Sequence, residues 1–511
     1  MDRENQLNKE IETVKQGGPA KYREKLKDEN KLFVRDRLKL FFPEGLAFED
    51  GMFANWLKVN ELASDGMVTG AGHMDGRKLW VIANDYTVKA GSMAEKGVEK
   101  FLRVQDRALK THLPVLYLID SSGGRITDQA GFFAGRYGIG KYFYNHSILS
   151  GVVPQICVMY GPCVAGAAYT PVFCDFTFMV RGTGSAMVIA SPRMVEMVTG
   201  EVISMQDLGG PDMHASESGS CDLVVEDEEE AAFAVRRLLT YLPDSCYEVP
   251  RRYEPAPAAR SPLDIDRIVP EDPNRPYDVH QLLECLVDAD SLFEIKAQYA
   301  PELVTAFARI DGRVVGIIAN NSAQKAGAIF PESSDKAAEF IWKCDAFNIP
   351  LLFLCDTPGF MPGPDVERAG VLKRGRKFIY ATSMATVPKL CVVVRKAYGA
   401  GIYAMCGPAY DPEATIALPG AEIAIMGPEA AINAVYRNHI LKIPEGPERE
   451  AWIKEKREEY RRDIDVHVMA DDLTVDHIVP PSELRKEIAT RLEFFAGKYQ
   501  PLPEKKHGAI L

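Results

Sequence analysis

The sequence predicts two tandem α/β domains related by an internal duplication, each built on a mainly parallel sheet with a β-β-α repeat. Three observations carry this. Residues 75–123 align with 311–359 without a gap, at an offset of 236. Asp75-Gly76 matches Asp311-Gly312, Ala83-Asn84 matches Ala319-Asn320, and Lys89-Ala90-Gly91 matches Lys325-Ala326-Gly327. Pro114–Asp120 matches Pro350–Asp356, and Gly123 matches Gly359. Further on the offset becomes 234, where Val153-Pro154 pairs with Val387-Pro388 and Tyr169 with Tyr403. A repeat this long is a duplicated domain, not a solenoid unit of roughly 20–50 residues. The second observation is a series of short apolar runs bounded by Gly, Pro and Asp, the signature of fully buried strands. The third is the helical stretches between them, since strand–helix alternation defines an α/β domain.

In chain order, residues 1–31 are rich in Lys and Glu and form a leading helical segment on the surface. The first domain spans 32–242, with apolar runs at 115–119, 155–160, 174–180 and 186–190. Helices are expected over Ala94–Lys110 and Gly131–Tyr144. No helix fits between 174–180 and 186–190, which is why the repeat is β-β-α rather than plain doubly wound. Eight prolines lie between Pro243 and Pro276. That density blocks both ladders and helices, so 243–276 is the interdomain linker. The second domain spans 277–495, with runs at 351–355, 390–394, 414–418 and 421–426 and helices over Ser334–Phe347 and Asp365–Ser383. The tail, 496–511, has little to pack.

Composition narrows the function. A net charge of −12 opposes non-specific nucleic-acid binding. No apolar run approaches the roughly 18 residues of a membrane span, and the charged start lacks the apolar stretch of a signal peptide. The ten cysteines form no C-x-x-C pair. Cys157, Cys163, Cys355 and Cys391 sit inside apolar runs, where Cys acts as a small hydrophobe. The expectation is a cytoplasmic protein with reduced thiols and no metal site.

Some motifs carry no chemistry. Gly135 to Lys141 fits G-x-x-x-x-G-K, but a phosphate loop needs Ser or Thr next and here Tyr142 follows. His214 and His439 are isolated. Two glycine-rich elements are different. Gly161-Pro-Cys-Val-Ala-Gly-Ala-Ala-Tyr169 follows the run 155–160, and Arg395-Lys-Ala-Tyr-Gly-Ala-Gly-Ile-Tyr403 follows 390–394. Both occupy the same place in the repeat, where a strand passes into a helix. Small residues there let a ligand approach outward-pointing N–H groups, which can stabilise an oxyanion. Tight strand-to-helix packing also selects small residues, but two elements at equivalent positions favour paired oxyanion holes. The turns Asp120 to Arg125 and Asp356 to Phe360 sit at the carboxyl ends of strands, where α/β sheets bind ligands. Asp120 and Asp356 themselves fit turn chemistry as well as function.

At this point the chain resembles a known family, the carboxyltransferase (β) subunits of biotin-dependent acyl-CoA carboxylases such as propionyl-CoA and 3-methylcrotonyl-CoA carboxylase. The carrying segments are DGMVTGAG (65–72), DSSGGRI (120–126), GPCVAGAAY (161–169), LGGPDMHASESG (208–219), ATVPKLCVVVRKAYGAG (385–401) and MGPEAAINAVY (426–436). The resemblance runs from about Gly17 to about Phe495. It implies a crotonase-like ββα spiral in each half and transfer of a carboxyl group from N1′-carboxybiotin to the α (or vinylogous γ) carbon of an acyl-CoA. Charge then develops on a thioester enolate and on the biotin ureido oxygen, and each needs N–H donors.

By the family pattern, Ala165, Gly166 and Ala167 serve the acyl-CoA enolate, and Gly399, Ala400 and Gly401 serve biotin. Gly123, Gly124, Arg125, Tyr169 and Tyr403 are candidate substrate-binding residues. Gly359, Phe360 and Tyr398 are candidates on the biotin side. Family members often have a Gly-Gly pair in the first element, where this chain reads Ala-Gly-Ala-Ala. Propionyl-type members typically have Asp where Tyr403 stands, which points to a branched or larger acyl group. No biotinylation motif A-M-K-M and no ATP-grasp segment occur, so the resemblance implies separate biotin carboxyl carrier and biotin carboxylase partners. It also implies a homo-oligomer, a hexamer built as a trimer of dimers in which the first domain of one chain faces the second of another. The competing readings are the decarboxylase α subunit of a sodium-pumping complex, a biotin-independent crotonase-type hydratase or isomerase, and a non-catalytic scaffold for carrier proteins.

Overall fold

The Asp-Gly pairs that opened the repeat are the hairpin turns that start each sheet. Asp75 and Gly76 have φ of +50° and +82°, and Asp311 and Gly312 have +53° and +73°. Positive φ at both central residues is the two-residue turn whose twist matches antiparallel strands. A computed structural model describes residues 2–130, 132–505 and 507–510 of the chain. It contains two compact units, Met1–Val249 and Pro250–Leu511.

In the first unit the strands are β1 (Leu46–Asp50), β2 (Met67–Met74), β3 (Arg77–Asn84), β4 (Val115–Ser121), β5 (Gln155–Val164), β6 (Phe176–Val180), β7 (Ala186–Val188) and β8 (Leu223–Val225). They order as β1-β2-β3-β4-β5-β6-β8, with β7 also on β5. The first three pair antiparallel and the rest parallel. β4 is buried at every residue, as its unbroken apolar run requires. The helix Glu95–Thr111 turns Val98, Phe101, Val104 and Ala108 into the core at helical spacing. The partner change along β5 matters most for function. Ile156–Met159 pair with β6, but Pro162–Val164 pair with β7.

The second unit repeats this plan with β9 (Phe293–Ile295), β10 (Leu303–Ile310), β11 (Arg313–Asn320), β12 (Leu351–Thr357), β13 (Lys389–Tyr398), β14 (Ala414–Ala417), β15 (Glu422–Ala424) and β16 (His477–Ile478). The order is β9-β10-β11-β12-β13-β14-β16, with β15 on β13. β13 changes partner as β5 does: Leu390–Val393 pair with β14 and Lys396–Tyr398 with β15. Two tandem crotonase-like ββα domains are therefore the fold.

Several segments differ from expectation. The leading segment breaks into Arg3–Lys15 and Ala20–Asp28 at Gly17, whose φ is +71°. Gly18 lies so close to the loop below that a Cβ would stand 1.9 Å from Thr87 O. The helix expected over Gly131–Tyr144 is observed at Ile139–Leu149, and Gly131 lies outside the described residues. The helix expected over 365–383 is interrupted at Gly370, φ +79°. The proline-rich stretch carries a helical turn at Pro262–Ile268, because proline at a first helical position forfeits no hydrogen bond. Its Ile265 and Ile268 join the core of the second unit. The tail also packs: Lys498 pairs with Glu413, Gln500 donates to Asp411 Oδ2 at 3.2 Å, and Gly508 lies against Tyr380.

Candidate active site

Both glycine-rich elements emerge where β5 and β13 end, each after the strand has changed partner. β5 runs into a 3-10 turn at Ala165–Ala168 and a short helix at Tyr169–Phe173. β13 runs through Gly399 and Ala400 into a turn of helix at Gly401–Ala404. Ala165 has φ +57° and its counterpart Gly399 has φ +56°. This left-handed pivot reverses the chain so that the next N–H groups stand at the start of a helical turn, where they lack intrahelical acceptors. Ala165, Gly166 and Ala400 are exposed, and Ala167 and Gly401 are buried. The N–H of Gly399 donates to Ala424 O at 2.9 Å, which leaves Ala400 and Gly401 as the candidate donors of the second element. Gly401 must be glycine, since a Cβ would stand 2.8 Å from Thr357 Cγ2 and 2.9 Å from Gly359 Cα.

The turn after the preceding strand lies beside each element. Gly123 has φ +98° and a Cβ on it would stand 3.1 Å from Val164 O; Gly359 has φ +106° and the same distance to Tyr398 O is 3.0 Å. Three consecutive left-handed residues lock this turn from the other side: Lys89, Ala90 and Gly91 (φ +49°, +54°, +63°) and Lys325, Ala326 and Gly327 (+44°, +58°, +71°). The chain then pairs across, with Met93 N donating to Gly123 O at 2.9 Å and Ile329 N to Gly359 O at 3.0 Å. The Lys-Ala-Gly repeat was visible in the sequence, but its left-handed geometry was not.

Beneath each turn is a buried carboxylate. Asp120 accepts from Lys31 Nζ at 3.1 Å, with Arg37 Nη2 at 3.8 Å. Burial pushes its carboxyl pKa up against the pull of these cations. Asp356 is held by Arg395 through Nε at 3.0 Å and Nη2 at 2.8 Å. The position matching Arg395 in the first unit is Gly161, where a Cβ would stand 1.9 Å from Asp120 Oδ1 and 2.8 Å from Lys31 Nζ. Lys100 and Lys336, also repeat mates, are buried with pKa lowered to about 8. Lys100 Nζ binds Ser64 Oγ at 2.6 Å and Lys336 Nζ binds Tyr299 O at 2.7 Å. Both fasten the irregular turn that leads into the first hairpin.

The remaining candidates divide. Tyr169 and Tyr403 are half-exposed at matching places, and the Tyr403 ring leans on Tyr410. Gly124 is exposed beside Gly123. Phe360 packs its ring over Gly375. Arg125 is 9% exposed. Its guanidinium is committed to Asp65 at 3.0 Å, Asp128 at 3.2 Å and Ser92 O at 2.9 Å, so it rivets three segments. Tyr398 is buried, its hydroxyl donating to Glu422, and burial with that carboxylate pushes its pKa up. Its phenol is thus committed within the fold, and its carbonyl lies against Gly359. Among the described residues, no group of three or more His, Cys, Asp or Glu could hold a metal ion.

Two ββα domains, each ending its central strand in small residues that open a helical turn, are the architecture of the crotonase-like carboxyltransferases. Known proteins agree. The model of the carboxyl transferase domain matches residues 25–510. An uncharacterized carboxylase of Bacillus subtilis is 48% identical over 507 residues, covering 99% of both chains. The carboxyltransferase subunit of propionyl-CoA carboxylase from Haloferax mediterranei is 38% identical over 518 residues, covering 100% of this chain and 99% of the other. A crystal structure of transcarboxylase 12S, solved as a hexamer with methylmalonyl-coenzyme A and methylmalonic acid bound, superposes with a TM-score of 0.93 at 38% identity. That superposition covers 99% of this chain and 98% of the other. The chain belongs to the carboxyl transferase domain family and is an enzyme of the acyl-CoA carboxylase carboxyltransferase class.

Proposed function

We propose that this chain moves a carboxyl group from carboxybiotin, carried on a separate protein, to the α or vinylogous γ carbon of an acyl-CoA. The observation that carries this is the pair of elements at Ala165–Ala167 and Gly399–Gly401, with one backbone conformation at matching places in two domains. The N–H groups of Gly166 and Ala167 would hold the thioester oxygen while charge builds on it as the carbon is deprotonated. Those of Ala400 and Gly401 would hold the ureido oxygen of biotin. The second element fits that group: Ala400 is exposed at the turn, and Tyr403 is half-exposed three residues on. Bound carboxybiotin supplies the carboxyl group and, after its release, a base. The lack of a dedicated catalytic His or Glu in either element is consistent with that.

The acyl group is read from Tyr403, a bulky aromatic where propionyl-type members typically have Asp; it favours a branched or larger acyl chain. Buried free thiols such as Cys157, Cys163, Cys355 and Cys391 suit a reducing compartment such as the cytoplasm. No helix among the described residues is long and apolar enough to cross a membrane. We further propose a hexamer working with biotin carboxylase and biotin carboxyl carrier subunits.

A panel of acyl-CoA thioesters offered with carboxybiotin tests the reading. Carboxylation of one or more members, dependent on carboxybiotin, is expected. Acyl-CoA hydration or isomerisation without any biotin source, and no carboxylation, would overturn it. Light scattering should give a mass of six chains.

A further inference from the structure

The helix Ile139–Leu149 follows the false phosphate loop and runs under the first glycine-rich element. Its Tyr142 is fully buried. The Tyr142 hydroxyl donates to Gly166 O at 3.4 Å. Thr170, four residues past Gly166, is 2% exposed. Burial holds the phenol in its protonated, donating form. The Tyr142 main chain is fixed by Gln105, whose Nε2 donates to Tyr142 O at 3.3 Å.

The Gly166 carbonyl and the Ala167 N–H belong to one peptide group. That group is planar and trans, so its C=O and N–H point in opposite directions. A hydroxyl that draws the oxygen inward therefore turns the hydrogen outward. A hydrogen bond on the oxygen also polarises the peptide group, so the Tyr142 bond to Gly166 O strengthens the Ala167 N–H as a donor. The second unit lacks this device. Phe378, at the same offset of 236, has no hydroxyl, and Ala400 O accepts instead from Ala404 N at 3.1 Å.

We propose that Tyr142 is a positioning residue that aims the Ala167 N–H at the thioester oxygen of the acyl-CoA through its hydrogen bond to the Gly166 carbonyl. This rests on the function proposed above. It gives the first element, which has an Ala where relatives often carry a second Gly, a support of its own.

The test is Tyr142→Phe in the full chain, assayed with carboxybiotin and the acyl-CoA that the unsubstituted protein turns over fastest. A misaimed donor weakens binding of the transition state more than of the substrate. The expected result is a kcat lowered about tenfold, less than the ~100-fold or more for deleting a donor outright. KM should stay within about twofold, and the melting temperature should not move. A kcat within about twofold of the unsubstituted protein overturns the proposal, as does a fall in kcat that tracks a loss of melting temperature. Gln105→Met, which frees the Tyr142 main chain but keeps its hydroxyl, is expected to lower kcat about threefold at constant KM. If Tyr142→Phe does not fold, Gln105→Met decides, and an unchanged kcat overturns the proposal. An unsubstituted protein that carboxylates no acyl-CoA overturns the underlying function, and Tyr142 with it. An active one matched by Tyr142→Phe overturns only the role of Tyr142.

Discussion

Ala165 and Gly399 hold the same left-handed backbone, φ +57° and +56°, one at each pivot of the duplicated site. Glycine adopts it freely, whereas alanine carries a penalty of about 1–2 kcal/mol. The first pivot is thus a point of stored strain and the second is not.

Ala165→Gly is expected to stabilise the first unit by about 0.5–1 kcal/mol, the strain relieved less the added freedom of the unfolded chain. Activity should be retained. Gly399→Ala should destabilise the second unit by about 1 kcal/mol or more, because its Cβ also comes within 3.2 Å of Ile425 O. Denaturant titrations of both variants check the opposite signs.

Ala400→Pro removes one proposed donor while leaving the backbone in place, since Ala400 already has φ −67°. Carboxyl transfer should fall ~100–1,000-fold with the protein folded. Circular dichroism alongside the transfer assay separates this from unfolding, and near-normal transfer would remove Ala400 from the site.

Tyr403→Asp should shift preference toward propionyl-CoA. The change in the ratio of kcat/KM values should be on the order of tenfold, since a methylene in an apolar pocket is worth about 1–3 kcal/mol. If the unsubstituted protein already prefers propionyl-CoA or acetyl-CoA in the panel, Tyr403 does not set the preference.

His146 lies under the first element with its ring stacked on Phe173 and Nδ1 donating to Gln155 Oε1 at 2.7 Å. Its Nε2 is buried without a partner, so a second proton would be stranded. Burial lowers its pKa to about 4 from 6.5. A depressed pKa means the stabilisation is complete above pH 6.5 and is lost as pH falls toward 4. The loss should approach about 3 kcal/mol. His146→Phe should flatten the acid limb of the pH–stability curve.

Lys31→Met and Arg395→Met each leave a buried carboxylate short of a cation. Each should destabilise its own unit by about 3 kcal/mol or more. Calorimetry of the two variants should show which unit melts early. Equal, small effects would mean that neither cation is needed to hold its buried acid in place.

Much of this was legible in the sequence, for reasons that can be named. The runs 115–119 and 351–355 are buried on both faces, so apolar continuity alone found β4 and β12. The glycine-rich elements were found because duplication placed them in matching positions. β2 was missed because Thr69, Gly70 and Gly72 interrupt its apolar pattern, whereas β3 was missed although Leu79–Ala83 is an unbroken apolar run. A Cβ at Gly70 would stand 2.2 Å from Phe48 O and one at Gly72 2.5 Å from the Phe42 ring, so close packing chose glycine over a strand-former. The Asp-Gly pairs could have signalled those hairpins. Arg125 looked like a ligand for substrate because its partner Asp65 is 60 residues away, and nothing local announces such a pair. Tyr142 was noticed only for what it was not.

Gly161 means that the two copies have ceased to be interchangeable parts. The second keeps its counter-charge, Arg395, on the strand that bears the site. The first has given up that position and draws Lys31 and Arg37 from the segment ahead of its sheet. Transplanting the second copy's strand into the first would drive a side chain into Asp120 and Lys31. Trimming the first copy to its sheet would strand the acid. The leader is thus part of the first copy's working floor, and any redesign of that half must carry the two together.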